Sequence, residues 1–134
     1  MEGSSTLRLT GGTPEVGGDL TIASGSTIIV SGATAFAWTG TTGSVNGSLQ
    51  LNNTATIGIS TGRLELANGS NLNLHETSQL NLSGGTLAIA AGGLLDLFDS
   101  AVFNQTAGTF AMEHADADAA LSNTTSWNLS LIHI

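Results

Sequence analysis

The sequence predicts an all-β chain wound into a right-handed, single-stranded parallel β-helix, with three short strands in each coil of about 23 residues. Three observations carry that expectation. Pairs of apolar residues one position apart recur along most of the chain, their first members being Leu49, Ile57, Leu64, Leu72, Leu80, Leu87, Leu95, Phe103 and Phe110. Their spacing of 8, 7 and 8 residues sums to 23, and glycines obey the same lag, with Gly62, Gly85 and Gly108 in one column and Gly69 and Gly92 in another. Finally, 18 glycines, a single proline and abundant Thr, Ser and Asn favour turns and strands over helix.

An apolar–x–apolar triplet sends two side chains to one face of a strand and the middle residue to the other. Strands this short are unstable alone, so coils must stack, each strand pairing in parallel with its counterpart about 4.8 Å away. Columns such as Leu49–Leu72–Leu95 then form a continuous core. Each buried aliphatic contributes about 1.5–3 kcal/mol. The right-handed crossover preference sets the expected hand.

Along the chain, residues 1–18 read as a partial coil and linker, with Leu7 and Leu9 as the last strand of an incomplete coil joined on by GGTPEVGG. Residues 19–112 read as the β-helix proper. Leu20 and Ile22, Ile28 and Val30, and Phe36 and Trp38 form its first full coil, with an insertion expected within TGTTGSVNG (39–47). An insertion projecting from a solenoid corner is a candidate binding loop. In 113–128 the run EHADADAAL breaks the alternation, so that stretch is expected to be irregular. The final LSLIHI (129–134) fits no column. One permitted back-translation, CTGTCTCTTATACACATC, resembles a transposon mosaic-end adapter, so 129–134 are expected to be a non-native read-through tail on a reading frame truncated in environmental DNA.

Composition narrows the function. Arg8 and Arg63 are the only Lys or Arg residues, and the formal net charge is -8. That balance provides no footprint for nucleic acid or for an anionic membrane surface. Without cysteine there is neither a disulfide framework nor a thiolate metal site. The opening MEGSSTLRLT has no basic n-region and no apolar h-region of a signal peptide.

Outward positions are the places for chemistry. By alternation they are Gln50, Asn73 and Asp96 in one column, Gly58, Asn81 and Asn104 in the next, and Glu65, Ala88 and Ala111 in the third. None of these columns stacks two carboxylates, so the acid–base pair of a glycoside hydrolase is not legible. Arg63 beside Glu65 reads as a solvated pair. Gln50 with Asn73, and Asn81 with Asn104, read either as amide ladders between coils or as a polar strip that contacts carbohydrate. Glu113, His114, Asp116 and Asp118 are the densest ionisable cluster, but they lack the Gly and the distal Glu of a calcium loop. His75, His114 and His133 have no partners at ligand spacing and are expected on the surface. Thr54 and Thr56 give way one coil later to Thr77 and Gln79, so no threonine array is maintained. The expectation is no catalytic residue, no metal and no cofactor.

SGGTLAIAAGGLLDL (83–97) and VFNQTAGTFAM (102–112) resemble the passenger-type repeats of bacterial autotransporters and related cell-surface β-helix proteins, which are built from GGTL-x-I and QTGGT-like phrases. The resemblance spans about residues 19–112. It implies a secreted or outer-membrane-associated stalk, adhesin or passenger segment, non-enzymatic, with no catalytic residues to carry over and with glycans or host surfaces as partners. The competing expectation is a piece of a carbohydrate-active β-helix, such as a lyase, a hydrolase or a phage tailspike, whose catalytic coils lie elsewhere. Either way, uncapped solenoid ends are expected to self-associate.

Overall fold

The structure is a computed structural model that describes residues 4–121 and 126–129. Its strands fall into three parallel sheets. The first sheet holds β1 (Thr6–Thr10), β4 (Thr27–Ser31), β7 (Ser48–Leu51), β10 (Asn71–Leu74), β13 (Leu94–Leu97) and β16 (Asp118–Leu121). The second holds β2 (Glu15–Val16), β5 (Ala35–Trp38), β8 (Thr56–Ile59), β11 (Gln79–Leu82), β14 (Val102–Gln105) and β17 (Ser126–Leu129). The third holds β3 (Leu20–Ile22), β6 (Thr42–Val45), β9 (Arg63–Leu66), β12 (Thr86–Ile89) and β15 (Thr109–Met112). The chain therefore runs round a three-sided parallel β-helix, visiting the sheets in rotation.

Registers match the sequence period where it is clearest. Leu72 pairs with Leu49 on one side and Leu95 on the other, Leu80 with Ile57 and Phe103, and Leu87 with Leu64 and Phe110. The second and fourth residues of β7 to β11 point inward and are buried, while the first and third are partly exposed. The inward rows fuse into one apolar core from Ile22 to Ala117. Near its far end Phe103 and Phe110 pack with ring centroids 5.5 Å apart.

Corners bring backbone against backbone. Gly62, Gly85 and Gly108 all have positive φ, and a Cβ on Gly85 would sit 2.5 Å from the Gly62 oxygen. Only glycine fulfils both demands, the left-handed backbone and the close approach of the coil below. Thr86 N–H then donates to the Gly62 carbonyl (2.7 Å), and Thr109 N–H to that of Gly85 (2.8 Å).

Three expectations are corrected. Residues 39–47 are not an inserted loop: they contain β6, which pairs with β3 and β9. Leu20 and Ile22 belong to the third sheet, and the register from Ile28 to Leu49 is 21 residues, two shorter than the later coils. The physical reason is a packing exchange. Gly43 takes the inward place that Leu64 and Leu87 hold in later coils, and a Cβ there would meet Leu64 Cδ1 at 2.6 Å and Trp38 Cζ2 at 3.1 Å. The Trp38 indole fills the volume, and its Nε1 donates to the Gly18 carbonyl (3.0 Å). A strand spelled TGSV then lacks the apolar pair that marks the others.

Leu7 and Leu9 lie in the first strand of a coil, not the last: β1 pairs with β4 in the first sheet, and GGTPEVGG carries β2. Finally, 113–128 includes two strands. β16 pairs with β13 and β17 with β14, both at a register of 24. The longer lag, together with small Ala119 opposite Leu95, hides this coil from an aliphatic count. Of the expected tail 129–134, Leu129 ends β17 and the rest lies outside the described residues.

The corner account predicts a contrast between two glycines. Gly85→Ala lowers unfolding stability by at least about 2 kcal/mol, because strain and clash coincide. Gly58, on the outer face of β8, has open space where a Cβ would stand, so Gly58→Ala changes stability by no more than about 1 kcal/mol. Urea-denaturation midpoints of the two variants check this.

Candidate functional site: the outer faces

Each sheet presents a different outer face. On the first, the middle row runs Arg8, Ile29, Gln50, Asn73, Asp96 and Ala120. The expected Gln50–Asn73 ladder does not form: Gln50 Nε2 donates to Asn52 Oδ1 on its own chain segment (3.1 Å). Asn71 Oδ1 and Asn73 Oδ1 are buried without a hydrogen-bond partner. Beside them lies a shallow, open cleft of about 530 Å³, with Arg8, Gln50, Asn52, His75, Glu76 and Asp99 in its lining. His75 is half-buried, its ring stacked on Phe98 at 4.7 Å and 5°. Burial, and then the nearby Asp118, raise the Asp96 carboxyl above its ordinary value of 3.8, and His75 partly offsets this.

At the corner after this sheet is a column that sequence reasoning missed. Gly32, Asn53, Glu76 and Asp99 all have φ between 60° and 69°. In each coil the side chain reaches back one turn. Asn53 Oδ1 accepts from Gly32 N–H (3.2 Å), Glu76 Oε2 accepts from Asn53 N–H and Nδ2, and Asp99 Oδ2 accepts from Glu76 N–H (3.1 Å). Thr54 and Thr77 hydroxyls donate to the carbonyls of Gly32 and Asn53 at 3.1 Å each. A left-handed residue turns its N–H out of the strand ladder, and an acceptor one coil later satisfies it. The signal was present as NNTA, HETS and FDSA, which recur at the 23-residue lag.

The second sheet carries the rows Ala35–Thr56–Gln79–Val102 and Ala37–Gly58–Asn81–Asn104. Here one expected amide ladder forms: Asn104 Nδ2 donates to Asn81 Oδ1 at 2.9 Å and approaches Gln79 Oε1 at 3.5 Å. The β2 residue Glu15 sits at one end of the second row, paired with Ala37.

On the third sheet, Arg63 is more than a partner for Glu65 (2.8 Å). It also makes a two-pronged contact with Glu113, at 2.8 and 2.5 Å, across β12 and β15. The row it crosses is Ala88 and Ala111, small enough to leave room for the guanidinium; Ala88 is outward by alternation yet fully buried. Hydrogen bonds to Glu113 and Glu65 raise the Arg63 pKa further, and the bond to Arg63 holds the Glu113 carboxyl below the usual carboxylate range. His114 and Asp116 are exposed, 3.5 Å apart. His133 lies outside the described residues, among which no three His, Cys, Asp or Glu gather to hold a metal.

Comparisons with protein-family models, with curated proteins and with solved structures found no match to this chain.

Asp96 yields a pH prediction. A carboxyl with a raised folded pKa binds its proton more tightly in the folded state, so stability falls as pH rises from its ordinary value through the raised one. Above the raised value the ionised group carries the full cost. Asp96→Asn is therefore expected to raise the melting temperature at pH 7 and to leave it nearly unchanged at pH 3, as thermal melts at the two pH values would report.

Proposed function

We propose that this chain is a non-enzymatic, passenger-type solenoid segment of a secreted or cell-surface bacterial protein, a rigid spacer whose outer faces meet glycans. The observation that carries the reading is the division of labour between core and surface. From β4 to β14 the stacked coils bury the inward aliphatic rows, while the outer rows hold amides, hydroxyls, small residues and a few charges at fixed, coil-spaced positions. Such an array suits multivalent contact with a polymer that repeats along its own length. The passenger-like phrases at 83–97 and 102–112 fall on β12 to β15.

The competing reading, part of a carbohydrate-active enzyme, finds less support. Glu76 and Asp99 stack at one corner, but each accepts backbone N–H groups of the coil before it. Their geometry serves the turn. Incubation with alginate, polygalacturonate and neutral glucans is expected to release neither reducing ends nor unsaturated uronate. Sustained product release, abolished by Glu76→Gln or Asp99→Asn in a folded variant, would overturn the non-enzymatic reading.

Self-association belongs to the same proposal. At the end formed by β1 to β3, Leu7 is 43% exposed and, with Leu9, Val16, Leu20 and Phe36, lines an opening of about 440 Å³ onto the core. Parallel edges of this kind template further strands. Light scattering on the 134-residue chain should show mass rising with concentration; a monomer that persists at high concentration would contradict this.

A further inference from the structure

The three outer faces differ most in charge. Across the first lie Arg8, Asp96 and Asp118, with Glu76 and Asp99 along its corner; the third carries Arg63 and Glu65, with Glu113 just beyond β15. From β5 to β14 the second face carries no charged residue at all, in a chain of net charge -8. It is also smooth, because Ala37 and Gly58 leave the middle row without bulk for two coils, and a Cβ at Gly58 would touch nothing within 4 Å.

Hydrogen-bonding groups on this face are oriented. Asn104 Nδ2 engages the oxygens of Asn81 and Gln79, which leaves Asn81 Nδ2 and Gln79 Nε2 as the donor ends of those amides. Among the described residues, neither amide nitrogen, nor the neighbouring Thr56 hydroxyl, has a hydrogen-bond partner. Thr56 lies on β8, and Gln79 and Asn81 lie two residues apart on the adjacent β11, the two strands being about 4.8 Å apart along the solenoid axis.

Size decides what can sit there. Four strands of four residues make a strip of roughly 19 by 13 Å, about 250 Å², whereas a stable protein partner needs about 800 Å² per side. A single extended polymer chain fits the strip; a globular partner does not. Charge decides the polymer. An uncharged floor flanked by carboxylate-bearing faces repels polyanions. The bordering Glu76 and Asp99 carboxylates are already engaged by backbone N–H groups rather than held out for a polycation, while amide and hydroxyl groups suit a ligand made of hydroxyls.

We infer that the outer face of the second sheet is a docking strip for one chain of a neutral polysaccharide, lying along the solenoid axis and held by Thr56, Gln79 and Asn81. The inference rests on the glycan-display reading above and assigns its face and its ligand class.

Affinity gel electrophoresis tests it, with dextran, xyloglucan and galactomannan as neutral probes and alginate and polygalacturonate as acidic ones. The wild-type chain is expected to be retarded by at least one neutral probe and by neither acidic one. Gln79→Glu, which keeps the shape but replaces the donor with an anion, is expected to weaken that retardation about tenfold. Gln50→Glu makes the same change on the first sheet and should leave retardation unchanged; melting curves confirm that both variants are folded. Retardation that survives Gln79→Glu but is lost in Gln50→Glu, or retardation by acidic probes alone, overturns the face and ligand class while leaving glycan display standing. Failure of every probe, neutral and acidic, to retard the wild-type chain overturns both.

Discussion

Parallel stacking of one coil directly on the next is the constraint from which the rest of this molecule follows. Each residue has a counterpart about 4.8 Å above and below it, so no side chain is chosen alone. Inside, the demand is met by aliphatic rows such as Leu49–Leu72–Leu95, whose members pack on copies of themselves. At one corner it is met by leaving the side chain out, as Gly62, Gly85 and Gly108 do. At another it is met by a polar group that reaches back one coil to a left-handed backbone N–H, as Glu76 does for Asn53 and Asp99 for Glu76. Because most hydrogen bonds and nearly all of the core join different coils, cohesion runs along the axis, and the outer faces are displayed on a stiff support.

The same constraint shapes the surface electrostatics. Like charges in one outer row would face each other at the coil spacing, and the chain largely avoids this. Where it does place charges together, the neighbouring rows compensate. Arg63 sits between Glu65 and Glu113 over a floor of alanines, and the Glu76 and Asp99 carboxylates each take a backbone N–H. Asp96 is the exception, half-covered and close to Asp118, and its raised pKa records the cost. One face is left entirely neutral from β5 to β14, and its amides are preset by Asn104.

Legibility in the sequence followed the strength of the burial term. Coils written with Leu and Ile at the full 23-residue lag were readable to the residue, because an inward aliphatic is worth far more than any competing local preference. In the coil of β4 to β6, the strands at Ile28–Val30 and Phe36–Trp38 are legible but β6 is not, because Trp38 supplies volume that Gly43 does not and an aliphatic count sees a loop where a strand lies. β16 was missed because Ala119 is small and the lag lengthens to 24. On the surface, the Asn81–Asn104 ladder was legible from spacing alone, whereas the Gln50–Asn73 ladder does not form and Gln50 donates to Asn52 instead. Glu113 lies fifty residues beyond Arg63, and that pair depends on a row of alanines between them. The column of left-handed corner residues was readable at the common lag, but it is built from four different residue types, and only their shared backbone conformation unites them.

Interstrand nuclear Overhauser contacts test the central claim most directly, since they report which backbones are neighbours. The account predicts α-to-amide contacts of parallel type linking β7 to β10 and β10 to β13, in steps of 23 residues, with Leu72 between Leu49 and Leu95. Close α-to-α contacts of antiparallel type between strands consecutive in sequence, β10 with β11 or β11 with β12, would contradict it.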